Sequence, residues 1–436
     1  MQERASERVA ARAPTGPRPV PLGRGAGGPG GTVATGSRLG SNRDSTRQHN
    51  LSAVLGLVHS TSGLSRAQLT RATGLNRSTI AALVGELVQL GLVVESDLDQ
   101  TQQQGRPSIM IEPSPDALVL AVNPDVDAVN VALVGLGGRI PSPVRFNTVR
   151  PPSADEVVNI VTAVYTGMRT SLPAGRRVLG AGLAVPGLVD PADGSVIEAP
   201  QLDWRGEPLA ARLAEALGLP FSAANDAVVG ARAQAAFGAA RDVPDFAYVF
   251  GGGSGIGGGL VTGGRLVRGA TGFAGQLGHT LVRTDGALCA CGSRGCLEAE
   301  VTRRALLEAA DLPRGEVEDL EEIVLERLRS DGPGSAGLRE VVERQAGLLG
   351  VGLRSVVNHL NPSMIVLGGF LRILARTVPD VLDGALRAGG GHGPREDVRI
   401  ELAPLGTDSI LLGAAELAFE PLLADPAGNA AGPAPA

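Results

Sequence analysis

At 436 residues, with 43% hydrophobic and 19% charged side chains, the chain has the composition of a globular protein of two or three domains. A net charge of −6 excludes a surface that binds nucleic acid everywhere, while leaving room for one basic module. No run of about 18 uninterrupted apolar residues occurs and the N-terminus has no signal-peptide core, so no membrane span is expected and the three cysteines suit a reducing cytoplasm.

Residues 1–48 are rich in Gly, Pro, Ser and Arg and hold too few apolar side chains to offset the entropy of ordering, so a disordered arm is expected. Eight Arg against Glu3, Glu7 and Asp44 give it a local charge of about +5. That charge favours a phosphate backbone, but it suits a solvated tail equally well.

Residues 49–112 carry three helical patterns. Leu51, Val54, Leu55 and Val58 recur at helical spacing. Ser65-Arg66-Ala67-Gln68 reads as a capping box opening a short helix that contributes Leu69 and Ala72. Gly74 turns the chain, Asn76 caps a third helix with a buried face of Ile80, Leu83, Val84 and Leu87, and Gly91 ends it. A short helix, a Gly-containing turn and a second helix is the helix-turn-helix layout. Its recognition helix would expose Arg77, Ser78 and Thr79 in the first turn, able to reach base edges or phosphates. Leu92–Glu95 and Ser108–Ile111 are expected to pair as a ribbon, with Arg106 on the wing between them, against the minor groove. A small three-helix unit that makes protein contacts is the other reading of this segment.

From residue 113 to 423, strand patterns alternate with helices, which predicts an α/β body. Leu118–Val122 and Val129–Val134 form an expected hairpin, and Val178–Val185 is a buried strand running into Pro186-Gly187. Leu209–Leu217 is an amphipathic helix ended by Gly218. Asn225-Asp226 stands where a strand from Phe221 ends and a helix begins; an aspartate there can act as general base, or merely cap the helix. Phe246–Phe250 is a strand feeding a loop of glycines, Gly251 to Gly259, whose amides could approach phosphate; tight turns use such glycines too. Met364–Leu367 is a further strand, and residues 424–436 are expected to be a disordered tail.

All three cysteines stand in one stretch, Cys289, Cys291 and Cys296, with His279 ten residues ahead of the first. Three thiolates and an imidazole fill a tetrahedral zinc site and leave no open position, so the metal would be structural. Three small apolar residues in a buried loop, or a disulfide with one Cys left over, are the alternatives. Glu298 follows two residues later and could accept hydrogen bonds from vicinal hydroxyls, or be a solvated charge at a helix start.

The Gly278-His279 pair followed by Cys289-x-Cys-Gly-x-x-Gly-Cys-Leu-Glu298 resembles the signature of the ROK family of repressors, open reading frames and sugar kinases. The helix-turn-helix spacing, the Gly105-Arg106-Pro107 step and nearly the whole body share that resemblance. It implies a winged helix-turn-helix followed by the two-lobed fold of the actin and hexokinase group, braced by a structural Zn2+. It assigns sugar binding to Asn225, Asp226, His279 and Glu298, and to Gln276, where the family usually has Glu. Family kinases carry Asp-x-Gly-Gly-Thr in the first hairpin; Asn123, Pro124, Asp125, Val126 and Asp127 stand here instead. Both glycines are gone, proline removes a backbone donor, and two carboxylates would repel phosphates.

The expectation is therefore a sugar-responsive repressor with no catalytic residue, Asp226 being a vestigial base. It would bind palindromic operator DNA as a homodimer or homotetramer, respond to a sugar or sugar phosphate, and not engage membranes. An ATP-dependent sugar kinase with an accessory DNA-binding module is the rival.

Overall fold

The structure, a computed structural model, describes residues 42–61, 63–96, 109–313, 319–330, 332, 334–389 and 393–431. Among them no helix is long and apolar enough to cross a membrane.

The N-terminal module runs α1 (Asn42–Thr61), β1 (Leu64–Ser65), α2 (Arg66–Thr73), α3 (Arg77–Gln89), β2 (Val93–Ser96) and β3 (Met110–Pro113). The expected local chemistry is present. Ser65 Oγ accepts from the Gln68 amide while the Gln68 side chain accepts from the Ser65 amide, and Gly74 closes α2 in the left-handed region at φ 69°. Leu51, Val54, Leu55, Val58, Ile80, Leu83, Val84 and Leu87 are all buried. Ala72, expected inside, is exposed, because α2 has only two turns and Leu69 fills its one buried position. The ribbon is a three-stranded sheet of order β1–β3–β2, since Leu64 pairs with Ile111 on the free edge of β3.

Two five-stranded sheets follow. The first contains β4 (Ala117–Pro124), β5 (Ala128–Gly135), β6 (Val144–Asn147), β7 (Arg177–Val185) and β11 (Phe221–Asn225). Between them lie α4 (Ala154–Thr170), β8 (Leu188–Val189), β9 (Val196–Ala199), β10 (Trp204–Glu207) and α5 (Leu209–Leu217). The second sheet follows α6 (Asp226–Ala236) and contains β12 (Phe246–Gly251), β13 (Ile256–Thr262), β14 (Arg265–Leu266), β15 (Met364–Gly369) and β16 (Arg399–Leu402). Its helices are α7 (Leu297–Glu300), α8 (Arg303–Ala309), α9 (Leu320–Arg329), α10 (Ser335–Leu360), α11 (Leu371–Thr377), α12 (Pro379–Arg387) and α13 (Pro394–Asp397). The chain ends in α14 (Ser409–Ala424) and α15 (Pro426–Asn429).

The sheets repeat one pattern. In order β11–β7–β4–β5–β6, an antiparallel hairpin is extended by two parallel strands; β16–β15–β12–β13–β14 does the same. Each sheet defines one lobe.

Three boundaries differ from those the sequence suggests. Residues 42–48 belong to α1, so the expected arm at 1–48 is shorter, and residues 1–41 lie outside the described residues. Residues 424–431 are not a tail: α15 packs so that Pro426 and Ala430 are buried, and Arg177 donates to the Ala430 carbonyl at 2.7 Å. Nor does residue 112 separate two cores. One continuous core joins Leu51, Val58 and Leu87 of the N-terminal module to Val229 of α6 and Phe419 of α14.

Candidate effector and metal site

Strand β11 lies parallel to β7 with Asn225 opposite Val185, so Asn225-Asp226 emerges beside Pro186-Gly187. Asn225 caps α6: its Oδ1 accepts from the Ala227 and Val228 amides at 3.0 and 3.2 Å, and its Nδ2 donates to the Gly187 carbonyl at 3.1 Å. All three of these hydrogen-bonding partners are backbone groups. Asp226, the first residue of α6, is 8% exposed and accepts from the Ala227 amide at 2.7 Å. Burial, reinforced by the nearby Asp125 carboxylate, pushes its carboxyl up to about 7.

Asp125 sits at the tip of the first hairpin. Its own carboxylate accepts from the Val126 amide at 2.7 Å, and burial followed by repulsion from Asp127 raises its pKa above the ordinary carboxylate value. Asn123, in place of the family aspartate, is buried and donates to the Ala184 carbonyl at 3.1 Å. The Val126 amide at the hairpin tip is already satisfied by the Asp125 carboxylate. The expected repulsion is partly offset, because Asp127 is paired with Arg145 at 2.9 Å and Arg303 at 3.6 Å. The charge left beside Asp226 is that of Asp125.

The glycine run is also not one loop. Only Gly252 to Gly255 turns, closed by the Gly252 amide on the Gly255 carbonyl at 2.9 Å, while Gly257, Gly258 and Gly259 lie within β13. A Cβ on Gly257 would stand 2.7 Å from the Ala227 Cβ, and one on Gly259 would stand 2.4 Å from that of Ala231. These glycines let α6 press onto the strand, a packing need that leaves only the four-residue turn for a ligand.

His279, Cys289, Cys291 and Cys296 converge, their ligand atoms all within 4.8 Å of one another. A tetrahedral zinc with Zn–S bonds near 2.3 Å sets its sulfurs ~3.8 Å apart. The Cys291 and Cys296 sulfurs are 3.8 Å apart, and Cys289 Sγ is 3.7 Å from His279 Nδ1. The donor set fits a metal ion, and Nδ1 is the ring nitrogen turned to the cluster. Glu298 joins it, with Oε1 3.1 Å from Cys289 Sγ and 3.5 Å from His279 Nδ1, while a Cβ on Gly255 or Gly278 would meet Oε2 at 2.6 or 3.0 Å. One Glu298 oxygen thus faces the knot and the other the glycine turn.

Asn225 and Gln276 line a cleft of about 350 Å³ with Phe221, Phe273 and Arg232. The structure thus gathers His279 and Glu298 at the knot and sets Asn225 and Gln276 on the cleft wall. Sequence reasoning missed two residues. One is Asp125 as the charge acting on Asp226. The other is Glu300, 7% exposed, which accepts from the Ala287 amide at 2.5 Å and braces the knot; its position two residues after Glu298 was the available signal.

In the N-terminal module Arg77 and Ser78 are exposed and Thr79 is half-buried. Asn76 Oδ1 accepts from the Thr79 amide at 2.8 Å and from the Ser78 hydroxyl at 2.7 Å, so Ser78 is engaged in the cap and Arg77 is the extended polar group of this turn. Arg106 lies outside the described residues.

Residues 119–420 match the model of the ROK family. The chain belongs to the ROK family. A protein named "Xylose repressor" from Caldicellulosiruptor bescii is 26% identical over 395 residues, spanning 88% of this chain and 99% of that one. A ROK family glucokinase from Streptomyces griseus, crystallised with glucose and AMPPNP, is 29% identical, with a TM-score of 0.60 over 70% of this chain and 99% of its own. A ROK family transcriptional regulator, described as a homologue of the E. coli MLC protein, has the same fold: TM-score 0.68 over 87% of this chain and 97% of that one, at 23% identity.

Two outcomes follow for this ROK chain. Purified protein should carry about one equivalent of metal, and Cys291→Ser or Cys296→Ser should release it and lower the melting temperature. Elemental analysis with thermal unfolding checks this, and unchanged metal content and stability would remove the metal reading. The second concerns pH. Asp226 has a folded-state pKa near 7 against an ordinary 3.8, so the native state binds the extra proton and stability falls as pH rises across that window. Asp226→Asn should flatten that slope, matching wild type near pH 4 and exceeding it above about pH 7, as read from melting temperature against pH.

Proposed function

We propose that this chain is a sugar-responsive transcriptional repressor of the ROK family. The observation that carries the reading is the reach of the likeness. The xylose repressor aligns along nearly its whole length and takes in most of this chain, whereas the glucokinase is covered almost completely by the body. What the chain has beyond a kinase is the N-terminal module.

In this reading residues 49–112 are a winged helix-turn-helix, and residues 113–423 the effector-binding body. Arg77, with Ser78 and Thr79 at the start of α3 and Arg106 on the wing, contacts a palindromic operator; a homodimer or homotetramer supplies the two modules such a site needs. A sugar or sugar phosphate binds in the cytoplasm between the lobes, through Asn225, Asp226, Gln276, His279 and Glu298. His279, Cys289, Cys291 and Cys296 would hold a structural Zn2+, which would fix the imidazole and leave its other nitrogen available to the ligand. The ligand binds the DNA-incompetent arrangement of the lobes better and so draws the population to it. The body does not phosphorylate, because the first hairpin offers phosphate neither glycine nor a free Val126 amide.

The test uses a duplex enriched from random-sequence DNA by the full chain. D-Xylose, or another pentose or hexose of a small panel, should release it. Arg77→Ala should weaken binding by about tenfold or more while leaving the sugar's thermal shift intact. An unchanged footprint in the variant would sink the assignment of α3.

One observation favours a second reading. A carboxyl with a pKa near 7 at the start of α6 is suited to general-base work on a sugar hydroxyl. Sugar-dependent ADP release from Mg-ATP would establish a kinase; its absence with a sugar that shifts the melting temperature leaves the sensor.

A further inference from the structure

Resting on that reading, we propose that His59 and Arg177 are positioning residues that fix the DNA-reading helices to the first lobe, so that the two move as one body. Two elements run from the candidate effector site to the N-terminal module. Helix α6 starts at Asn225-Asp226, and Phe237, the residue that closes it, packs edge-on to the His59 ring at 5.2 Å. Strand β7 reaches the same site through Val185, and its first residue, Arg177, donates to the Leu90 carbonyl at 3.0 Å. Leu90 is the C-cap of α3, so the guanidinium meets the open, negative end of the helix proposed to read DNA.

His59 is 3% exposed and both ring nitrogens are used. Nδ1 accepts from the Gly137 amide at 3.0 Å, so the proton sits on Nε2, which donates to Glu416 of α14 at 2.7 Å. Phe419 packs on the same ring from α14 at 5.6 Å, and the Ser52 hydroxyl of α1 donates to the Leu423 carbonyl at 2.6 Å. The connection is short as well. Only Ser114, Pro115 and Asp116 separate β3 from β4; the Ser114 amide is tied to the Leu92 carbonyl at 2.9 Å, and the Asp116 carbonyl accepts from the Arg177 amide at 2.8 Å. There is no linker about which the module could swivel. An effector that closes the lobes must carry the module with the first lobe, and a change at the start of α6 or the end of β7 is felt at α1 and α3 through packed side chains.

Hydrogen exchange of the full chain, read by mass spectrometry, tests this in two arms. Without ligand, α1 and α3 should exchange as slowly as β4 and β7. His59→Ala and Arg177→Ala should each speed α3 by roughly five- to tenfold while leaving β12 and β15 unchanged. His59→Gln, which keeps a donor for Glu416, should restore much of the protection. Fast, independent exchange of α3 in the wild type, or variants that leave it unchanged, would overturn the proposal. With saturating D-xylose, the wild type should gain protection at the start of α6 and change its exchange in α3. The alanine variants should keep the first response and lose the second, a separation that simple destabilisation does not produce. An α3 response of wild-type size in both variants overturns the coupling. If D-xylose protects no segment of the wild type, the effector assignment fails for that sugar, and the ligand-free arm still decides the coupling.

Discussion

Helix α6 is held on several sides by backbone that approaches it through glycine. Gly257 and Gly259 of β13 meet Ala227 and Ala231, and a Cβ on Gly413 of α14 would stand 2.0 Å from the Val229 carbonyl. Gly230 of α6 itself gives way to the Tyr248 ring, which a Cβ there would meet at 2.4 Å. Such contacts leave little room for a helix to shift alone, since dense packing converts a displacement into a collision. The candidate effector residues at its start and the His59 contact at its end therefore lie on one helix packed tightly against both sheets.

The electrostatics of the site depend on that packing. Asp226 is buried because α6 is pressed between the lobes, and burial is the larger cause of its raised pKa; Asp125 adds to it only because the hairpin holds that carboxylate nearby. The same hairpin folds its carboxylate back onto the Val126 amide. A phosphate loop needs open amides and no fixed negative charge, and this hairpin offers neither. The departure from the kinase phosphate loop and the second contribution to the raised pKa of Asp226 thus meet in one hairpin, a self-capped turn where the family kinases carry glycine.

The candidate metal cluster brings a second set of constraints, close in sequence to Gln276 of the cleft wall. Its four candidate ligands come from the short helical turn at Leu277–His279, the loop after it and the start of α7, a stretch tied by bridges such as Leu281 to Cys296, by backbone hydrogen bonds and by Glu300. A bound metal would tie His279 and the segment leading to Glu298 into one unit, which is how a structural ion can order a binding wall without touching the ligand.

The sequence by itself determined what is local. The Ser65 box, the Asn76 cap, the turn at Gly74, the buried faces of α1 and α3, and the strand-to-helix step at Asn225-Asp226 follow from residue type and spacing, because the groups that satisfy each other lie within a few positions. The clustering of His279 with the three cysteines was legible for the same reason: four such donors within one short stretch have few other uses. Only the tertiary structure decided the rest. That Gly257 to Gly259 form a strand packed under a helix, that Asp127 is paired with Arg145 and Arg303, and that the C-terminal residues return to Arg177 all depend on partners well away in sequence. The His59–Glu416 pair joins residues 357 positions apart, and no periodicity announces such a meeting. Long-range burial set these features, and burial is a property of the assembled core.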